Sequence, residues 1–212
     1  MFRPPPLYVI CDADACCRAG WALVDFASAC LNGGARLLQV RAKMEPSGRL
    51  LDETFAIVDR AGSEAQVIVN DRADIARLAA AAGVHVGQGD LSPAEVRSVV
   101  GDRSVIGWST HTPTQLDAAF SQPISYVAIG PVFATITKST GYEPLGLAPV
   151  ADAAARAAEQ GLPLVAIGGI TLDRAEAVLA QGAASVAVIG DLLSGGDPEA
   201  RVRAYLSRLS RV

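Results

Sequence analysis

The residues of this 212-residue chain that are equipped for polar chemistry fall in short clusters, and each cluster follows a run of apolar residues. The first is Gln39-Val40-Arg41-Ala42-Lys43, in which alternation along an extended backbone sends Gln39, Arg41 and Lys43 to one side. An amide and two cations converging in this way suit phosphate oxygens; a basic strand end is also ordinary on an exposed surface. Next come Asn70-Asp71-Arg72 and Gly87-Gln88-Gly89-Asp90. Two carboxylates at neighbouring strand ends can share a hard cation such as Mg2+, which is usually held by one or two carboxylates together with substrate phosphate. Asp71 and Asp90 are the expected metal pair, while Asp71 taken alone would also serve as the cap of the helix that follows.

Further along, Ser109-Thr110-His111-Thr112 and the stretch from Pro131 to Lys138, with Thr135, Ile136 and Thr137 inside it, offer hydroxyls and an ammonium group as donors to phosphate. His111 has no serine and carboxylate placed to make a catalytic triad, so a structural hydrogen bond is expected of it. His85, inside an apolar run, reads as a satisfied interior histidine. The last clusters are Gly168-Gly169-Ile170-Thr171 and, after Ile189, Gly190-Asp191. Glycine permits close approach of a phosphate to backbone N–H groups, and a helix N-terminus attracts the anion.

Eight apolar, β-rich runs carry these clusters, at 7–11, 37–41, 66–70, 83–87, 105–109, 126–130, 164–168 and 185–189. Between them lie amphipathic, Ala-rich stretches at 22–31, 49–61, 74–82, 93–99, 113–120, 148–160, 172–181 and 198–209, several of them opened by Ser, Thr or Asp. An eightfold strand–helix alternation with nearly continuous apolar strands predicts an α/β fold, a (β/α)8 TIM barrel forming a single domain over residues 1–212. A doubly wound open sheet is the competing arrangement. In a barrel the chemistry sits where strands end, which is where every cluster falls, and the loops after strands seven and eight often hold a phosphate. The mouth then has room for two phosphorylated ligands.

Composition narrows the function classes. With 50% hydrophobic and 19% charged residues the chain can bury a large core, which excludes a disordered or disulfide-stapled miniprotein. A net charge of −4 without a cationic block argues against nucleic acid or an anionic membrane as partner. No apolar stretch reaches the roughly 20 residues of a membrane-spanning helix, and the opening MFRPPPLYVI lacks an extended signal-peptide core, so a cytoplasmic location is expected. Cys11, Cys16, Cys17 and Cys30 lack a paired metal-binding spacing and read as reduced thiols.

The strings QVRAK, NDRADIA, GVHVGQGD, WSTHT, GPVFATITK, VAIGGIT and VAVIG, in this order from about Leu7 to Leu193, resemble the thiamine phosphate synthase family. The resemblance implies a transferase that joins a hydroxymethylpyrimidine diphosphate to a thiazole phosphate, with release of pyrophosphate and with one Mg2+ as cofactor. On this sequence it implies that Gln39, Arg41, Lys43, Asn70, Ser109 and Lys138, with Val40 and Ala42 in the same stretch, meet the pyrimidine diphosphate. Asp71 and Asp90 then look like the Mg2+ ligands, and Thr135, Ile136, Thr137, Gly169, Ile189 and Gly190 like the contacts to the thiazole phosphate. Arg41, Lys43, Lys138 and Ser109 are the expected catalytic group. The partners are small molecules, and a homo-oligomer is compatible with the sequence. One departure is Gly190, where the family often has serine, so a hydroxyl contact to the thiazole phosphate is missing.

The chemistry agrees with this charge pattern. Loss of pyrophosphate leaves a pyrimidine cation and a leaving group of about three negative charges, facing Arg41, Lys43 and Lys138. A tautomerase on the same barrel that isomerises a thiazole carboxylate phosphate needs a proton shuttle and no diphosphate site. A non-catalytic binder of thiamine phosphates is the third reading.

Overall fold

The protein is described by a computed structural model covering residues 2–135 and 141–210. Strands β1 (Leu7–Asp12), β2 (Leu37–Arg41), β3 (Gln66–Asn70), β4 (Gly83–Val86), β5 (Val105–Thr110), β6 (Tyr126–Ile129), β7 (Leu164–Ile167) and β8 (Ser185–Val188) close a parallel barrel in sequence order, β8 pairing back onto β1. Around it run α1 (Ala13–Arg18), α2 (Leu23–Asn32), α3 (Ser47–Ala61), α4 (Ala73–Leu78), α5 (Pro93–Val100), α6 (Pro113–Ala119), α7 (Ala148–Glu159), α8 (Leu172–Leu179) and α9 (Pro198–Leu209), with a 3₁₀ turn at Gly190–Leu193. The (β/α)8 barrel expected from the alternation is the fold. No helix among the described residues is long and apolar enough to cross a membrane.

The helices follow from their sequences. In α3, Leu50, Thr54, Ile57 and Ala61 are buried at helical spacing, which turns one stripe to the barrel. Ser92 and Glu95 form a capping box around Pro93 at the start of α5, and Thr112 and Asp197 cap α6 and α9. Most bounds lie within one or two residues of expectation, and two departures are larger. The helix expected over 74–82 ends at Leu78, because Ala80 adopts a φ of +52° that a helix cannot continue through. Helix α1, absent from the sequence reading, is a turn and a half nucleated by Asp12, whose Oδ1 accepts from the Ala15 N–H at 2.9 Å.

Alternation along the strands builds two apolar layers. In β1, Leu7, Val9 and Cys11 face the helices, and Tyr8 and Ile10 face the interior with Leu37, Ile68, Tyr126, Ala128, Val165 and Ala187. Register then places Asn70, His85, Gly107 and Tyr126 side by side across β3 to β6. Gly107 is required there, since a Cβ on it would stand 2.0 Å from Tyr126 Cζ. The phenol of β6 fills the space that a side chain on β5 would occupy.

Candidate active site

A cavity of about 630 Å³ opens at the carboxyl ends of the strands. Of the residues singled out in the sequence, Gln39, Arg41, Asn70, Ser109, Thr135, Gly169, Ile189 and Gly190 line it. They come from the ends of β2, β3 and β5 and from the loops after β6, β7 and β8, and all of them share one space. Val40 and Ala42 are buried in the layer between barrel and helices, which leaves only their backbone for a ligand. Ile136, Thr137 and Lys138 lie outside the described residues.

Arg41 is not a bare cation. β1 and β2 pair with Asp12 opposite Arg41, and the Asp12 carboxylate, only 2% exposed, forms an ion pair with the Arg41 guanidinium. The same carboxylate caps α1, so one side chain orders both a helix start and a cavity cation. Asp12 was absent from the sequence reading; its signal was an acid at the end of a strand next to a strand ending in Arg. Its negative charge offsets the positive charge of Arg41 at the end of β2.

The carboxylates expected to hold a metal sit in the β3 and β4 loops. Asp71 lies at φ +61°, its N–H donating to the His85 carbonyl at 2.8 Å, and its Oδ2 is 2.9 Å from Lys43 Nζ. It does not cap α4, whose N-cap is Arg72 with no side-chain hydrogen bond. A non-glycine residue held in the left-handed region is a strained arrangement, seen more often at ligand sites than elsewhere. Asp90 Oδ2 accepts from the Gly87 N–H at 2.8 Å, which folds the β4 loop back on itself. Among the described residues no group of three or more His, Cys, Asp or Glu side chains stands ready to enclose a metal. Two carboxylates and no nitrogen or sulfur donor suit a magnesium ion that completes its shell with water and ligand phosphate.

The two histidines take interior and structural positions, as their context suggested. His111 Nδ1 donates to the Gly130 carbonyl at 2.5 Å, and its ring stacks on Tyr142 at 4.2 Å. His85 is 9% exposed and bonded at both ring nitrogens, 2.8 Å from the Tyr126 hydroxyl and 2.8 Å from Ser109 Oγ. Burial pushes the Tyr8 and Tyr126 hydroxyls well above the usual phenol range, so both stay protonated donors.

The part of the mouth after β7 and β8 is built on backbone. Gly169 lies at φ +61°, and a Cβ there would stand 2.4 Å from the Ala134 carbonyl, so the β6 and β7 loops touch backbone to backbone only because this residue is glycine. Gly190 opens the 3₁₀ turn. The first N–H of α8 is not left for a phosphate: Leu172 N–H donates to Asp191 Oδ2 at 3.0 Å. That carboxylate also binds Arg201, at 2.8 and 2.9 Å from Nη2, and the Tyr205 hydroxyl at 2.5 Å, both from α9. Burial and the neighbouring Asp191 carboxylate raise the Tyr205 hydroxyl far above its ordinary range. Asp191 therefore holds the turn that carries Gly190 in place. Arg174, also unanticipated, lines the cavity, with Nη1 3.2 Å from the Gly169 carbonyl and its guanidinium over the Phe133 ring at 4.7 Å. It brings a cation to the glycine-built part.

Comparison with known proteins places the chain in a family. Residues 7–192 match the family described as thiamine monophosphate synthase. The chain is 45% identical over 174 residues to the thiamine-phosphate synthase of Anaeromyxobacter dehalogenans, covering 82% of this chain and 77% of that protein. It is 41% identical over 209 residues to the thiamine-phosphate synthase of Koribacter versatilis, covering 97% and 96%. Thiamine phosphate pyrophosphorylase from Pyrococcus furiosus superimposes with a TM-score of 0.87 at 25% identity, covering 97% of this chain and 96% of that one. On this likeness, which extends over nearly all of its sequence and its fold, the chain belongs to the thiamine monophosphate synthase family and is a transferase.

Proposed function

We propose that the barrel mouth couples a hydroxymethylpyrimidine diphosphate to a thiazole phosphate, giving thiamine phosphate and pyrophosphate. One observation carries this reading: Gln39, Arg41, Asn70 and Ser109 share a single cavity with Thr135, Gly169, Ile189 and Gly190, so a ring with a diphosphate and a separate monophosphate lie within reach of each other. Arg41, held in orientation by Asp12, and Lys43, beside Asp71, meet the charge that develops on the departing diphosphate. Lys138 adds to them in this reading. Asp71 and Asp90 would hold Mg2+, which supplies positive charge against the diphosphate when bound.

The carbon–oxygen bond to the diphosphate breaks first, and the pyrimidine's amino group feeds electron density to the cation that remains. The thiazole nitrogen then bonds to that carbon. Ser109 and Gln39 orient the ring, and the backbone at Gly169 and Gly190 fixes the phosphate of the second substrate. The nitrogen carries a lone pair and needs no protein base, so positioning accounts for most of the acceleration.

The test is pyrophosphate release with both substrates and Mg2+, with the organic product identified by mass. Release that requires both substrates, accompanied by thiamine phosphate, is expected. Isomerisation of a thiazole carboxylate phosphate alone would replace this reading by a tautomerase, and tight binding of thiamine phosphate without turnover would replace it by a binding protein.

A further inference from the structure

Five side chains beneath the mouth touch in succession. Gln39 Nε2 donates to the Tyr8 hydroxyl at 2.8 Å, the Tyr8 and Tyr126 hydroxyls are 3.1 Å apart, Tyr126 is 2.8 Å from His85 Nδ1, and His85 Nε2 is 2.8 Å from Ser109 Oγ. The place of each proton follows by elimination. An amide nitrogen only donates, so the Tyr8 oxygen accepts at its contact with Gln39. Tyr8 is 1% exposed and its own proton needs an acceptor, which among its bonded neighbours is the Tyr126 oxygen. Tyr126 must then pass its proton on to His85 Nδ1. With Nδ1 accepting, the imidazole proton is on Nε2 and goes to Ser109 Oγ. The Ser109 hydroxyl keeps its own proton for the cavity that it lines. Gly107 makes the crossing possible: it separates His85 from Tyr126 in the register and leaves the gap through which the phenol reaches the imidazole.

We propose that Tyr8, Tyr126 and His85 are positioning residues, a one-way hydrogen-bond chain that fixes His85 with its proton on Nε2 and presents Ser109 to the ligand as a donor and the Gln39 carbonyl as an acceptor. This rests on the reading that Gln39 and Ser109 meet the pyrimidine. An aminopyrimidine offers an amino donor and ring-nitrogen acceptors, the complement of that pair. Reversed polarity would oppose donor to donor, and a site built to hydrogen-bond one ring then leaves buried groups unpaired.

Nitrogen-15 NMR of histidine-labelled protein reads the polarity directly, since the chain has only two histidines and His111→Asn assigns the spectrum. His85 should show a bare, pyridine-type Nδ1 and a protonated Nε2; a proton on Nδ1 overturns the proposal. Gln39→Glu places an acceptor where the amide donated, so every bond in the chain should turn round and the His85 proton should move to Nδ1. An unchanged tautomer in that variant also overturns it. Tyr126→Phe keeps the ring and removes the link: both tautomers should appear, and KM for the pyrimidine diphosphate should rise about tenfold with KM for the thiazole phosphate unchanged. Equal effects on both KM values would make the chain mere packing. Were Tyr126→Phe to misfold, the wild-type and Gln39→Glu spectra still decide. A protein that forms no thiamine phosphate refutes the proposed reaction, whereas the wild-type spectrum judges the chain separately.

Discussion

Asp191→Ala is the perturbation that best separates the scaffold of the phosphate loop from its chemistry. The carboxylate is 12% exposed and serves three partners on two helices, binding the first N–H of α8 and both Arg201 and Tyr205 of α9. Removing one partner of a buried ion pair costs about 3–5 kcal/mol, which we reduce to about 2 because the Arg201 side chain is 28% exposed. The orphaned helix N–H and the stranded phenol each add about 1 kcal/mol. A total near 4 kcal/mol is a large part of the stability of an ordinary domain and lowers the melting temperature of a chain this long by about 8–16 °C. Thermal melts followed by circular dichroism measure this. Arg201→Met in the same chain removes the uncompensated charge, so the double variant should recover at least about 1 kcal/mol over Asp191→Ala. Below the melt, Asp191→Ala should raise KM for the thiazole phosphate more than KM for the pyrimidine diphosphate, because Gly190 loses its support. A single variant that melts with the wild type, or a double variant less stable than the sum of the singles, refutes the reasoning.

Gly169→Ala should cost about 2–4 kcal/mol, from the left-handed backbone and from the contact with Ala134, and should weaken binding of the thiazole phosphate; a wild-type melt and KM would show that the loops are not in contact. Asp71→Asn should leave the fold intact while raising the Mg2+ concentration needed for half-maximal turnover by at least about tenfold, and an unaltered Mg2+ titration would remove Asp71 from the metal site. Stability should fall in alkali. Burial raises the Cys11 and Cys30 thiols far above the ordinary thiol range, so the folded chain keeps protons that the unfolded chain releases. Their contribution is full below about pH 9 and is lost as pH rises, by about 2 kcal/mol for the two between pH 9 and pH 10. Cys16, pushed up to about 12 by burial and the Asp12 carboxylate, adds to the trend, and a urea midpoint equal at pH 8 and pH 10 would contradict it.

The barrel was legible in the sequence because each of its eight strands is short, apolar and followed by a helix with its own start signal. The parts that were not legible depend on partners far away in the chain. Tyr8 and Tyr126 read as two more apolar strand residues, and only closure of the barrel brings their hydroxyls together across 118 positions. Asp191 read as part of a phosphate loop, since Arg201 and Tyr205, one turn apart on α9, look in sequence like an ordinary outer face. Helix α1 is too short for its period to register. Gln39, Arg41, Asn70 and Ser109 were found because strand ends are where this fold places polar residues, whereas Val40 and Ala42 came with them and turned out to face the helices.

The shared volume of Gly107 and Tyr126 has a consequence for how this site can change. The two residues amount to a single side chain supplied by one strand and accommodated by its neighbour. Any lineage or design that enlarges residue 107 must evict the phenol, and with it the only atom that joins Tyr8 to His85 in the chain described above. Conversely, trimming residue 126 to deepen the floor for a bulkier ring removes the same junction. Pocket depth and hydrogen-bond polarity at the mouth are therefore one inherited variable. A broader substrate range obtained at this floor has to come with a different way of orienting Ser109.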